Sequence, residues 1–491
     1  MSALSSRRAF LGTLALGGIG LLAAACAAPA TPAASTSAPP TTAPAVKPTS
    51  ASAAPATSAP APTAASAAAP TTATTTSASL ATPPDYPFPT GPVTITWQHG
   101  SDVTTNKLYT DIFLPAYMQM HPNVTIQHEA VPGIDQKLLV EIATNTAPTM
   151  FDASAVTLQA LMPKGALSPV PPAAWGVSTI DEMLSKYYLP KVMEPLMSGG
   201  NLYAIPNQMN SQSLMLNTRL FKASGLDPAK DAPKTWDDVV KLQPTLTKRD
   251  ASGQITQKGF EFIWARPDTI STWGMQLLIQ QAGGKILEDD GATPAFNTDA
   301  GLTALQMIKK LSVDPSVTRN TAAVVQQDWA TELNVMGQGG PNWGLLCETI
   351  NPNVKGNYIF SDMPQLDTSK PANLFIVFSI CVNNAAPDDQ KAVAHDLIRF
   401  MAQQPEQWLQ STGQLTPMQS LANSSSAREV MPFLDIALHD LQIAIPPLNS
   451  PYVPQLNDAF KAAAERVVLE NQEPKASLDQ AESDYKQSIK S

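Results

Sequence analysis

Apolar and polar side chains alternate over residues 93–97, in the two-residue period of a β-strand. A helical pattern follows over about residues 106–120, and a second alternating stretch predicts a strand over 124–130. The pattern then predicts a helix over about 134–143 and a third strand over about 149–153. The order β-α-β-α-β is typical of a parallel sheet covered by helices, so we predict an α/β fold.

Polar side chains follow two of these strands at the point where each strand ends. Ligands of open parallel sheets sit beyond the carboxyl ends of the strands. Gln98, His99 and Asp102 have this position after the first strand, and Asp152 and Ser154 have it after the third. We therefore expect these side chains to contact a ligand, with the alternative that Asp152 only caps a helix.

The first 26 residues have the layout of an export signal. Arg7 and Arg8 precede a run from Leu11 to Ala25 that contains no charge, and this run is shorter than the ~20 apolar residues of a membrane helix. The paired arginines resemble the twin-arginine export motif, although ordinary secretion signals can also contain such a pair. The small residues that end in Cys26 resemble a bacterial lipoprotein signal. We expect an exported protein that is lipid-anchored through Cys26 to the outer face of the cytoplasmic membrane.

Residues 27–84 have the composition of a disordered tether. Twelve of them are proline, Lys47 is the one charged residue, and nearly all the others are Ala, Ser or Thr. Such a stretch has neither the charges nor the large side chains that a core requires. A wall spacer that carries O-linked glycans would have the same composition.

The charge of the remaining chain limits its partners. The whole chain has a formal charge of -10, and residues 85–491 carry 28 basic against 41 acidic side chains, a net of -13. This balance argues against a nucleic-acid surface and mildly against an anionic ligand. Three cysteines are too few for a disulfide scaffold. We expect Cys347 and Cys381 to be buried thiols, because twin-arginine export moves folded protein out of a reducing compartment.

Several segments match one family in order. Those that form its central signature are Leu202–Pro206, Leu216–Phe221, Gly225–Asp227 and Pro233–Asp238. They resemble the family 1 extracellular solute-binding proteins of ABC importers, which include maltose- and other sugar-binding proteins. Residues 120–124, 283–298, 379–401 and 413–417 follow the same pattern, so that the resemblance covers residues 91–491. Leu216 and Thr149 depart from it, because the family usually has Tyr and Asp there.

The resemblance implies a two-lobed clamshell of the class II periplasmic-binding-protein type, which closes on its solute by a hinge motion. The implied crossovers lie near 207–213, 371–376 and 443–447, the first lobe comprises 85–208 plus 375–443, and the second comprises 212–372 plus 446–491. It also implies a monomeric receptor without cofactor or catalytic residues. This receptor would deliver a solute, most often a sugar or oligosaccharide, to the permease subunits of an ABC importer.

A sugar needs polar groups for its hydroxyls and a flat aromatic partner for its C–H face. The residues that the resemblance places at the solute are Asn207, Gln208, Asn210, Trp273, Trp343 and Tyr452. Trp343 lies in a loop similar to the family's Gly-Pro-Trp loop, with one residue inserted. Each tryptophan has the alternative of a place in the core, which we expect for Trp97 and Trp408.

Other functions have less support in the sequence. It contains no P-loop, G-x-S-x-G, H-E-x-x-H or C-x-x-C motif, and no metal-ligand set. A glycan-acting enzyme would need a carboxyl pair such as Asp152 and Glu348 at a separation of ~5–9.5 Å. A surface adhesin would need a repeated face, and the chain has no internal repeat. A receptor for a non-sugar solute, such as a polyol phosphate or a peptide, remains the main alternative.

Overall fold

A computed structural model of the chain describes residues 80–261, 270–312, 322–445, 448 and 450–490. The predicted export signal and residues 27–79 of the predicted tether lie outside the described residues. Leu80 packs against the first hydrophobic core, and the hydroxyl of Thr82 donates to Asp396 Oδ2 at 2.9 Å. The packed part of the chain therefore starts before residue 85, where the sequence places the end of the tether.

The described residues form two main sheets. The strands, in chain order, are β1 (Val93–His99), β2 (Val124–Ala130), β3 (Met150–Ser154), β4 (Met197–Ser198), β5 (Asn201–Leu202), β6 (Ala204–Ser211), β7 (Ser213–Asn217), β8 (Lys248–Arg249), β9 (Ile255–Glu261), β10 (Asn334–Gly339), β11 (Tyr358–Ser361), β12 (Asn373–Val382) and β13 (Ala444–Ile445). The first sheet has the order β13-β12-β3-β1-β2, with β6 also paired to β12, and the second has the order β11-β7-β10-β9-β8.

Helices cover both sheets. The α-helices are Val103–Lys107, Leu114–Met120, Ile134–Ala143, Ala155–Leu161, Ile180–Tyr187, Pro190–Met193, Thr218–Ala223, Trp236–Leu246, Leu277–Gln281, Asp299–Leu311, Ala322–Ala330, Asn342–Ile350, Asp388–Ala402, Pro405–Thr412, Gln419–Ala422, Ser425–Val430, Leu434–Gln442, Val453–Val468 and Pro474–Ser488, with π-helical turns at Leu108–Phe113 and Ser271–Gln276. Within the described residues, no helix combines the length and the apolar character that a bilayer crossing needs.

The predicted elements of the first sheet are present. The strand over 124–130 and the helix over 134–143 have the predicted bounds, and β3 lies one residue later than predicted. β1 extends two residues beyond its predicted end, to His99. Both β2 and β3 pair in parallel with β1, which confirms the parallel arrangement, whereas β12 runs antiparallel to β3 and β6.

Each sheet has its own hydrophobic core. We call the first sheet with its core the first lobe, and the second sheet with its core the second lobe; this two-lobed α/β fold agrees with the prediction. Trp97 and Trp408 are buried in the core of the first lobe, as expected. Cys381 lies in that core, and Cys347 lies in a separate small cluster of the second lobe, so both are buried free thiols.

Three passages of the chain between the sheets meet at one buried residue, Asn373. Its side-chain Nδ2 donates to the carbonyl of Gln212, between β6 and β7, at 2.8 Å. Its backbone N–H donates to the carbonyl of Ile443, just before β13, at 3.2 Å. Beside it, the hydroxyl of Ser213 donates to the buried carboxyl of Asp440. Pro446 and Pro447, in the predicted third crossover, lie outside the described residues.

Asp440 makes the stability of the protein depend on pH. Burial and, to a smaller extent, the charge of the nearby Asp362 raise the pKa of this carboxyl to about 7, against the hydrogen bond from Ser213. The folded state therefore keeps a proton that the unfolded chain releases at lower pH, so stability falls as the pH rises from about 4 through 7. Between pH 5 and 8, we expect the free energy of unfolding to fall by roughly 1–3 kcal/mol less in Asp440→Asn than in the wild type, as measured by urea unfolding at each pH.

Asp435→Asn is the matched control, because Asp435 lies on the same helix but is exposed and paired with Arg428. Its pKa is lowered by the hydrogen bond from Arg428, so it finishes titrating below this pH range. Wild-type and Asp440→Asn profiles that run parallel from pH 5 to 8 would contradict the prediction.

Candidate ligand-binding cleft

A cavity of about 160 Å³ opens at the carboxyl ends of β1 and β3, and we call it the first-lobe cavity. Its lining residues are Gly100, Asp102, Thr105, Ile134, Asp135, Asp152, Ala153, Ser154, Asn207, Gln208 and Phe378. The structure thus brings together Asp102, Asp152 and Ser154, which the strand-end rule suggested, with Asn207 and Gln208, which the family resemblance suggested. Both sequence arguments lead to the same place.

Asp152 is the most deeply buried acid of this cavity, with 8% of its surface exposed. Its carboxylate accepts hydrogen bonds from Trp97 Nε1 at 3.2 Å, Asn207 Nδ2 at 3.3 Å and the Gly100 N–H at 3.4 Å. Burial raises its pKa to about 7 in spite of these bonds. Asp152 does not cap the following helix, since Ser154 does so by accepting from the N–H of Thr157.

Asn207 has an unused hydrogen-bond acceptor. The residue is 6% exposed, and its Nδ2 donates to Tyr109 Oη at 3.1 Å and to Asp152. Its Oδ1 has no hydrogen-bond partner in the described residues. Buried polar atoms in native proteins are nearly always paired, so an unpaired one in a cavity wall marks a position for a ligand or water donor.

Asp102 and Asp135 add two more carboxylates. Asp102 starts the helix Val103–Lys107 and accepts from the N–H of Thr105 at 2.8 Å. Burial acts to raise the pKa of Asp102, but the hydrogen bonds from Thr105 and Thr104 outweigh it and lower that pKa. Asp135 accepts from the N–H of Ser154 at 3.0 Å. Asp135 was not among the predicted site residues, although it follows β2 and the strand-end rule applies to that strand as well.

Phe378 is an aromatic ring that the sequence analysis also missed. It is 37% exposed, whereas its neighbours on β12 are buried or half-buried. In the sheet it lies between Ser154 of β3 and Gln208 of β6, both of which line the cavity. The mostly apolar sequence of β12 gives no signal that one of its side chains faces a cavity.

Gln98 and His99 do not line the first-lobe cavity, contrary to expectation. Because β1 continues to His99, both residues belong to the strand and do not follow it. Gln98 Nε2 donates to Glu141 at 3.3 Å. His99 is fully buried beside His128, with 3.2 Å between ring nitrogens, and burial lowers its pKa.

The second lobe approaches this region through the loop that begins at Gly340. A Cβ on Gly340 would lie 3.1 Å from the carbonyl of Ser211 and 3.7 Å from Asn210 Oδ1, so the loop is packed closely on the end of β6. Asn342 Nδ2 also reaches Gln414 of the first lobe at 3.5 Å. Some of the buried polar atoms without a partner in the described residues lie on or next to these segments: Ser211 Oγ, Gln212 Oε1, Gln338 Oε1 and Asn342 Oδ1.

The three predicted aromatic contacts have different surroundings. Trp273 is 6% exposed and belongs to the core of the second lobe. Its ring is therefore mostly enclosed by the second lobe, and contact of its remaining surface with a solute stays a prediction. Trp343 is half-buried, with its ring against Gly339, and Tyr452 is half-buried at the start of the helix Val453–Val468. Contact of these two rings with a solute stays a prediction.

Solved structures share this fold. A cyclic maltosyl-maltose-binding protein from Arthrobacter globiformis is 22% identical, with a TM-score of 0.66 over 81% of this chain and 98% of that chain. An ABC-transporter solute-binding protein from Thermotoga lettingae, bound to α-D-tagatose, is 21% identical, with a TM-score of 0.66 over 80% and 99%. One from Agrobacterium radiobacter, in complex with ribitol, is 20% identical, with a TM-score of 0.67 over 81% and 99%. These likenesses establish the two-lobed binding-protein fold.

A search of curated protein sequences gives no match. In contrast, residues 114–429, which are more than half of the chain, match the family model described as bacterial extracellular solute-binding protein. This match shows that the chain belongs to the bacterial extracellular solute-binding proteins.

Proposed function

We propose that this protein is the receptor of an ABC importer and that it holds a sugar or oligosaccharide between its lobes. The observation that carries the proposal is the first-lobe cavity, where carboxylate and amide oxygens surround an exposed aromatic ring. These oxygens accept hydrogen bonds from hydroxyl groups, and the ring offers a flat partner for the C–H face of a sugar. Two of the solved structures described above contain tagatose or ribitol, and the third is named as a binding protein for a cyclic maltosyl-maltose, which is consistent with this ligand class.

The charge of the cavity favours sugars over sugar phosphates and polyol phosphates. Three carboxylates, Asp102, Asp135 and Asp152, line it, and no Lys, Arg or His is among its described lining residues. A phosphate placed there would meet only negative charge, since arginine or lysine normally compensates a bound phosphate.

Hinge closure would complete the site. The unpaired oxygens of Gln338 and Asn342 lie in the second lobe, and that of Gln212 lies in the passage between β6 and β7, so we expect a solute held by Asn207 to reach them when the lobes close. Closing the lobes removes water from these groups, and each group then needs a partner from the solute. We propose that the lobes rotate about the passages that meet at Asn373.

We propose binding without catalysis. Glu348, the possible partner of Asp152 in a glycosidase pair, does not line the first-lobe cavity. It instead accepts a hydrogen bond from the hydroxyl of Tyr358 at 2.7 Å and lies 3.6 Å from Lys355. Its hydrogen-bonding groups are thus used within the second lobe.

We also propose that the mature protein is a monomer held at the outer face of the cytoplasmic membrane by a lipid on Cys26. The charged, apolar and small-residue order of residues 1–26 supports this anchor. We expect Cys26→Ala to shift the protein from the membrane fraction to the soluble fraction on cell fractionation. Equal membrane association of Cys26→Ala and wild type would contradict lipid anchoring.

A thermal-shift screen tests the proposed ligand class. We expect at least one neutral sugar or oligosaccharide to raise the melting temperature of the purified protein, because a ligand that binds only the folded state stabilises it. We expect sugar phosphates and polyol phosphates to have no effect. A screen in which no sugar raises Tm, or in which the protein hydrolyses the bound sugar, would overturn the proposal.

Phe378→Ala tests the aromatic contact once a sugar is known. We expect a loss of roughly 1–2 kcal/mol in binding free energy, about 5–30-fold in Kd by titration calorimetry. The Tm of the empty protein should change little, since Phe378 is already 37% exposed. Trp273→Ala is the contrasting variant, because loss of a core tryptophan costs about 3–5 kcal/mol of folding stability. Unchanged affinity in Phe378→Ala would show that the ring is not a contact.

A further inference from the structure

The acids of the first-lobe cavity have only neutral hydrogen-bond partners on its wall. Asp152 accepts from Trp97, Gly100 and Asn207, and Asp135 accepts from the backbone of Ser154. Asp102 accepts from Thr104 and Thr105. Asp135 lies close enough to Asp152 to raise the pKa of that carboxyl, after the larger effect of burial. The negative charge of the cavity is therefore not compensated by its described lining residues.

A neutral sugar would leave this charge in place or require Asp152 to stay protonated, since burial raises the pKa of that carboxyl to about 7. When the lobes close and water leaves, the repulsion between carboxylates grows, because it is screened less in a dry site than in water. Buried charges in proteins are normally paired for this reason. A cationic group on the solute would remove the repulsion, whereas hydroxyl groups would only satisfy hydrogen bonds.

Two further features of the same wall fit a cation. Asn207, 6% exposed, lines the cavity and has an Oδ1 without a partner, so a strong donor can be accepted there. The exposed ring of Phe378 lines the cavity beside Ser154 and Gln208, and an aromatic face attracts a cation. A protonated amine has three N–H donors, which matches a site made mainly of acceptors.

We propose that the first-lobe cavity binds a protonated amino group, so that the solute is an aminosugar or another polyol that carries an amine. The proposal rests on the proposed function and adds the charge of the solute to it. The cavity, at about 160 Å³, receives the amino-substituted end, and the remaining hydroxyls reach the second-lobe side.

Matched sugars test this proposal. Glucosamine, galactosamine and mannosamine are each compared with the parent hexose and with the N-acetyl derivative, by thermal shift and by titration calorimetry at pH 6.5. The sugar ring and its other hydroxyls stay the same within each set, and only the substituent at one carbon changes, which is charged in the amine and neutral in the other two. We expect at least one amine to bind about tenfold or more tightly than both of its neutral counterparts.

Asp135→Asn is the matched variant. It keeps an oxygen for the Ser154 N–H and removes one negative charge, so we expect the preference for the amine, measured as the ratio of the Kd values of the parent sugar and the amine, to fall about tenfold. Asp111→Asn is the control, because Asp111 is exposed and does not line the cavity. A merely structural role of Asp135 would weaken both sugars equally.

The outcomes separate this inference from the proposed function. If a neutral sugar binds and no amine binds more tightly than its parent, the inference fails and the proposed function stands. If neither these sets nor the wider sugar screen yields a ligand, both fail. An amine preference that Asp135→Asn leaves unchanged would also overturn the assignment of the amine to this cavity.

Discussion

The relative placement of the two lobes depends on the hydrogen bonds of one buried asparagine. Asn373 bonds through its side chain to Gln212 and through its backbone to Ile443, so that it joins all three stretches where the chain passes between the sheets. Its Oδ1 accepts from the N–H of Leu374 at 2.8 Å, and its surface is fully buried. A buried amide with its donor and acceptor used holds a unique geometry, because any other arrangement would leave polar groups unpaired.

This junction and the candidate cleft are built on the same two strands. β6 carries Asn207 and Gln208 in its middle and reaches the junction one residue after Ser211. β12 starts at Asn373 and presents Phe378 five residues later. The two strands pair with each other between Ala204 and Ser211, so a group bound at Asn207 lies within a few residues of the passages in both strands. Because β6 and β12 are hydrogen-bonded to each other, a displacement of either strand at the cavity also moves the passages between the lobes. This arrangement fits a hinge that responds to a ligand in the cavity.

The sequence predicted the bounds of an element, or the position of a cavity residue, where a single local rule determines them. The alternation over 124–130 and the helical period over 134–143 gave the observed bounds, since each element has one buried face. Asp102, Asp152 and Ser154 were found because parallel strands end at one edge. His99 was placed wrongly since the end of β1 depends on its pairing with Ala130 in β2. Phe378 and Trp273 could not be assigned, because exposure of an aromatic ring depends on how far neighbouring segments cover it in the folded chain.

The polar groups in the wall of the first-lobe cavity lower the stability of the fold. Asp152 has its pKa raised to about 7 by burial, and Asn207 Oδ1 lacks a partner, so both lower the stability of the unliganded fold. Replacing them with apolar residues would relieve that cost and remove two of the groups that we propose as solute contacts. Binding sites commonly retain such unfavourable groups, because interactions withheld in the empty state become available to the ligand. The same reasoning applies to the unpaired oxygens of Asn207 in the first lobe and of Gln338 and Asn342 in the second: under the proposed function, a solute with many donors would satisfy both sets when the lobes close.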